Sequence, residues 1–112
     1  MKLEVTESQV ETALGFLVET APRYGQLVEQ VGRKETQLKN VEALLVVKYH
    51  TGGTAATVCR DYARAEQRWI DASTELAIAQ GILAECRERR DAAETTISVY
   101  QSMVKDRQGA RP

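Results

Sequence analysis

Three arginines, Arg60, Arg64 and Arg68, recur at intervals of four, with Lys48 and His50 a short distance before them. On a helix that spacing sets the guanidinium groups along one stripe about two turns long, and such a stripe can follow a phosphate backbone. Tyr49, Tyr62 and Trp69 stand nearby. Aromatic rings beside cations are how proteins hold single-stranded bases without reading their sequence. The same arginines also fit a solvated face paired in part with Asp61 and Asp71, and on the residues alone that plainer reading is preferred. Tyr62 and Trp69 also fall in an apolar seam, where core packing accounts for them. A second basic group, Lys105, Arg107 and Arg111, lies near the carboxyl end, where positive side chains complement a helix dipole.

Catalysis finds little support. His50 is the sole histidine, no serine sits in a nucleophile-elbow sequence, and no Walker-type phosphate loop is present. Gly52 and Gly53 need no ligand to explain them, because a reversal between helices asks for glycine. Glu85, Glu88, Asp91 and Glu94 alternate with Arg87, Arg89 and Arg90 as on a solvated helix face. Cys59 and Cys86 are the two cysteines, and on one straight helix they stand about 40 Å apart, too far for an internal disulfide. No second Cys or His lies at ligand spacing from either, so neither metal nor cofactor is expected. The bland reading of Cys86 is a small buried hydrophobe.

Composition sets the class. The chain of 112 residues is 43% hydrophobic and 28% charged, with a net charge of −1, as in a single folded domain rather than a disordered segment. A uniformly basic protein is excluded, though charge can still be segregated by position. Prolines occur only at Pro22 and Pro112, strand-like alternation is nowhere sustained, and residues that favour helix abound. Residues 1–8 lack the apolar centre of a signal peptide, and the longest apolar run, 43–47, is too short to span a bilayer. A cytoplasmic protein without membrane contact is expected.

Helices must therefore position the cationic and aromatic residues. A first helix is expected over about 6–20, with Thr6 and Gln9 forming a capping box and Val10, Ala13, Leu14, Leu17 and Ala21 on its apolar face. Pro22 predicts a tight turn or sharp kink over 21–25. The second helix, about 22–49, carries Leu27, Val31, Leu38, Val41 and Leu45 as its main stripe, and the glycine pair within 50–55 turns the chain. A third helix, about 56–108, holds the seam: Val58, Tyr62, Ala65, Trp69, Ala72, Leu76, Ala79, Leu83, Cys86, Arg90, Ala93, Ile97, Tyr100 and Val104 follow at alternating spacings of four and three. One set of seam positions is mostly small and the other mostly large, which suits close helix packing.

A helix of about 50 residues is about 75 Å long. The second helix covers it to roughly Leu83 and the short first helix cannot cover the rest. Ile97, Tyr100 and Val104 are then bare in a monomer, and an exposed apolar stripe marks an interaction surface. Arg90, the one charged seam residue, falls near the point where packing within the chain would give way to assembly. Arg90, Ile97, Tyr100 and Val104 are the expected oligomer interface.

The aromatic turn Lys48-Tyr49-His50-Thr51-Gly52-Gly53-Thr54-Ala55, followed by one long heptad-patterned helix, resembles the UvsY family of phage recombination mediators over about residues 44–108. The motif-like part is Tyr49-His50-Thr51-Gly52, similar to an aromatic-aromatic-Thr-Gly segment of that family. The resemblance implies a small helical homo-oligomer that binds single-stranded DNA and helps a RecA-like recombinase displace single-strand binding protein. Family members carry basic residues on the helix just before this turn. Here 41–47 is uncharged except for Glu42, with Lys39 and Lys48 at its edges, so Lys48, His50, Arg60, Arg64 and Arg68 are the candidate nucleic-acid contacts.

The sequence thus predicts an all-α protein, a long antiparallel helical hairpin with a short first helix, assembled as a homo-oligomer. The expected role is that of a nonenzymatic DNA-recombination accessory protein. A helical interaction module without nucleic-acid binding, a structural adaptor or a small inhibitor of a host enzyme, is the alternative.

Overall fold

The computed structural model describes residues 4–109. Arg111 of the second basic group lies outside them. The fold is all-α: α1 spans Glu7–Thr51, α2 Ala56–Ala65 and α3 Gln67–Gly109, with no strand among the described residues. No helix among them is long and apolar enough to cross a membrane.

The start of α1 is the expected capping box. The Thr6 amide donates to Gln9 Oε1 at 2.9 Å and the Gln9 amide donates to Thr6 Oγ1 at 3.2 Å, so two otherwise unpaired N–H groups are satisfied reciprocally. The expected break at 21–25 is overturned. α1 is one helix of 45 residues with Pro22 inside it. Proline removes the amide that would pair with the Val18 carbonyl, a residue exposed to solvent, and tertiary bonds hold the turn on either side of it. Arg90 Nη1 donates to the Leu17 carbonyl at 2.9 Å and to Thr20 Oγ1 at 2.6 Å, and its guanidinium lies 5.1 Å from the centre of the Tyr24 ring. Packing here overrides local propensity.

Gly53 ends α1 as anticipated. Its φ of +94° is a left-handed conformation that suits glycine. The Thr54 amide donates to the Tyr49 carbonyl at 3.0 Å and the Gly53 amide to the His50 carbonyl at 3.1 Å, the hydrogen-bond pair of a Schellman cap.

The continuous third helix is also overturned. Glu66, at φ −70° and ψ 139°, interrupts it between α2 and α3, whereas the helix runs unbroken through Gly81. Glu66 caps both neighbours: its amide donates to the Ala63 carbonyl, and its own carbonyl accepts from the Trp69 and Ile70 amides.

The chain divides into two compact units. In the first, residues 4–25 and 84–109, Arg90 reaches Leu17 and Thr20 while Arg87 Nε donates to the Tyr24 hydroxyl at 3.4 Å, so the two helical segments run antiparallel. Ala13 and Ala93 are buried here, and Val10, Leu17, Cys86, Ile97, Tyr100 and Val104 are half-buried. The expectation that Ile97, Tyr100 and Val104 stand bare in a single chain is therefore corrected. The register set by Arg90 with Leu17 and Thr20 places residues of about 6–14 opposite these three, so the first helix itself covers this stretch, and Arg90 is engaged within its own chain.

The second unit, Gln26–Leu83, is antiparallel as well, as the pairs Lys34–Glu75 and Glu42–Arg64 show. Its core is Val41, Leu45, Ala63 and Ala72, with Leu38, Val46 and Trp69 packed against it. Leu27, Cys59, Ala79 and Leu83 are also buried.

From Trp69 to Val104 every seam position is buried or half-buried. Of the first three positions, two behave differently. Tyr62 and Ala65 are exposed and Val58 is half-buried, while Cys59 and Ala63, each one residue further along than the seam's Val58 and Tyr62, face the core.

Candidate nucleic-acid interface

Around the α1–α2 turn, local geometry brings most of the expected contacts into one neighbourhood of the second unit. Lys48 and His50 occupy the last turn of α1, where cations favour the helix dipole. Arg60 and Arg64 are exposed and stand four apart on α2, so they share a face. Arg68 is exposed in the first turn of α3. The expected three-arginine stripe is therefore interrupted, because the extended backbone at Glu66 breaks the helical spacing between Arg64 and Arg68.

Two of the five candidate residues are already paired. Arg64 Nε donates to the Glu42 carboxylate, with its guanidinium 5.7 Å from the Trp69 ring centre. Lys48 Nζ is 3.7 Å from Glu66 and 5.6 Å from the centre of the Tyr49 ring. Among the described residues no ion pair involves His50, Arg60 or Arg68. Lys39 of α1 and Arg60 of α2 line one groove together with Glu42 and Asp61, so that groove carries balanced charge.

Tyr62 is the main surprise. Assigned by its spacing to the core, it is instead 52% exposed, and its ring centre lies 5.7 Å from that of Tyr49 at an interplanar angle of 49°. The two rings line an open notch with Ala65, Glu66 and Gln67. The Tyr49 hydroxyl donates to Glu66. That bond, then desolvation and the charge of Glu66, push the Tyr49 hydroxyl above its ordinary pKa. The same bond, followed by the charge of Lys48, holds the Glu66 carboxylate below the usual carboxylate range. Trp69 packs against the core, in accord with its place in the seam.

Glu66 and Gln67 escaped the sequence reading, since Ala65-Glu66-Gln67 is a run of good helix formers with no local stop signal. The available clue was that 56–65 offers two apolar faces, Val58 with Tyr62 and Cys59 with Ala63. No group of His, Cys, Asp and Glu among the described residues could hold a metal ion. The chain matches no protein-family model, no curated protein and no solved structure.

Proposed function

We propose that the chain is a nonenzymatic accessory protein of DNA recombination that binds single-stranded DNA as a homo-oligomer and assists a RecA-like recombinase against single-strand binding protein. The observation that carries the reading is the outward Tyr62 ring beside Tyr49, with Lys48, His50, Arg60 and Arg64 in the same neighbourhood. Rings on which bases stack and cations that follow the backbone are the two components of sequence-independent single-strand binding. A modest patch on each chain gains strength when several copies engage one strand. The resemblance of the aromatic turn to the UvsY family supports the same assignment.

Binding of a fluorescent oligothymidine at low salt, measured by anisotropy, tests the reading. Affinity should fall with salt and fall again in Arg60→Ala/Arg64→Ala.

A second reading is favoured by the ion pairs of Lys48 and Arg64, which occupy two of the cations. In it the protein is a helical interaction module without nucleic-acid binding, and exposed aliphatic residues such as Leu44, Val47, Ile78 and Ile82 contact a protein. No binding of the oligonucleotide at low salt would favour this reading.

A further inference from the structure

The segment 56–65 is written for two registers. Val58, Tyr62 and Ala65 continue the four-three spacing that α3 uses from Trp69 onward, so a helix unbroken through residue 66 turns these three toward α1. The structure instead buries Cys59 and Ala63, one residue out of phase, and exposes Tyr62 and Ala65. One non-helical residue, Glu66, takes up the difference.

Opposing interactions decide between the two registers. An unbroken helix would pair the amides of residues 66–69 with the carbonyls of 62–65. The observed junction replaces these by fewer bonds, Glu66 N–H to Ala63 and the Trp69 amide to Glu66, while the Ile70 amide keeps the Glu66 carbonyl it would have in an unbroken helix. The Gln67 amide takes part in none of the backbone bonds that span the junction. In return the broken form makes the Tyr49–Glu66 hydrogen bond and the Lys48–Glu66 contact, and it buries Cys59 to 1% exposure.

We infer that the α2–α3 junction is a two-state switch: with Glu66 outside the helix Tyr62 is presented to single-stranded DNA, and with Glu66 inside it Tyr62 is stowed against α1 and binding is off. The inference rests on the single-strand reading of the Tyr49–Tyr62 site. A shift of one residue turns the whole of α2 by about 100°, so the Tyr62 ring leaves its place beside Tyr49 and Arg60 and Arg64 are reoriented with it. A ligand shifts such an equilibrium only through groups that differ between the states. The Tyr49 hydroxyl acts as the latch, because re-entry of Glu66 into the helix redirects the carboxylate it holds.

Two substitutions move the switch in opposite directions. Tyr49→Phe keeps the ring and removes the latch. Gln67→Pro locks the broken form, since proline suits the first position of a helix and the ψ of 139° at Glu66 suits a residue before proline. The same proline inside a continuous helix is disfavoured by about 100-fold.

The test uses the full chain with Cys86→Ala, a replacement that matches the alanines at neighbouring seam positions, and follows the rate at which a thiol reagent labels Cys59. Without DNA, Tyr49→Phe should speed labelling by up to about tenfold, and Gln67→Pro in the same chain should reverse that. The accelerated rate should depend weakly on urea, which separates the local switch from global unfolding. Equal rates in parent and Tyr49→Phe, or a steep urea dependence, would overturn the switch. Excess oligothymidine should slow labelling, and Gln67→Pro should restore the affinity lost in Tyr49→Phe; faster labelling with DNA would overturn the assignment of the binding state. Absence of any DNA binding, with the labelling pattern intact, would remove the single-strand reading and leave the switch standing.

Discussion

The Tyr49 hydroxyl donates a hydrogen bond to the carboxylate of Glu66, joining the last turn of α1 to the single residue that separates α2 from α3. This contact, 17 residues apart in sequence, stands where the continuous heptad spacing calls for an uninterrupted helix.

The pH dependence of that contact has a definite sign. Glu66 titrates below the usual carboxylate range in the folded chain, so its contribution is fully present above the unfolded pKa and is lost as pH falls through the folded one. Tyr49 titrates above its ordinary value, so its contribution is present below the unfolded pKa and is lost as pH rises through the folded one. The stability difference between the parent and Glu66→Gln should therefore shrink on acidification below about pH 4. Urea unfolding of both proteins from pH 7 to pH 3 measures it, and a difference that stays constant would contradict the contact.

Arg90 is bonded within its own chain, to Leu17 and Thr20 beside the proline-bearing turn of α1. Arg90→Ala should lower unfolding free energy by about 1–3 kcal/mol, because it removes a charged donor from a half-buried carbonyl and hydroxyl. The loss should not depend on protein concentration. A loss that grows on dilution would instead place Arg90 in an interface between subunits.

Gly53 and Gly52 should respond differently to alanine. Gly53 has a φ of +94°, so Gly53→Ala should cost about 1 kcal/mol in urea unfolding. At Gly52 an added Cβ would stand 3.4 Å from the Lys48 carbonyl oxygen, an ordinary contact in a backbone without positive φ, and Gly52→Ala should cost less.

Self-association is read directly from the mass in solution. Light scattering should give a multiple of the 12.5 kDa chain, and a monomeric mass would contradict the homo-oligomer. Because Ile97 and Tyr100 are half-buried within one chain, Ile97→Asp and Tyr100→Asp should also lower the unfolding midpoint. A change in mass with no change in stability would place these residues in a purely intermolecular seam.

The all-α class, the capping box at Thr6 and Gln9, the turn at Gly52 and Gly53 and the seam from Trp69 to Val104 were legible because each rests on local chemistry or an uninterrupted period. Both errors of continuity arose where tertiary contacts outweigh local preference. Pro22 reads as a break, yet Arg90, 70 residues away from Thr20, supplies donors to the turn before it. Glu66 reads as mid-helix, yet Tyr49 and Lys48 hold it outside. Tyr62 reads as inward-facing for the same reason, since its orientation follows from a one-residue phase shift without a local sequence mark. At the candidate site the cations were identifiable by type, but the partners Glu42 and Glu66 that engage two of them lie far along the chain.

Anisotropy titration of a labelled oligothymidine against parent and Tyr62→Ala, over a range of salt, decides whether the outward Tyr62 ring and the cations around it hold single-stranded DNA. Binding is expected at low salt, with a log–log salt slope of about −0.7 for each phosphate contacted, and with a loss of about 1–3 kcal/mol in Tyr62→Ala at unchanged slope. Parent protein that fails to bind at low salt, or Tyr62→Ala that binds as tightly as the parent, would contradict that reading.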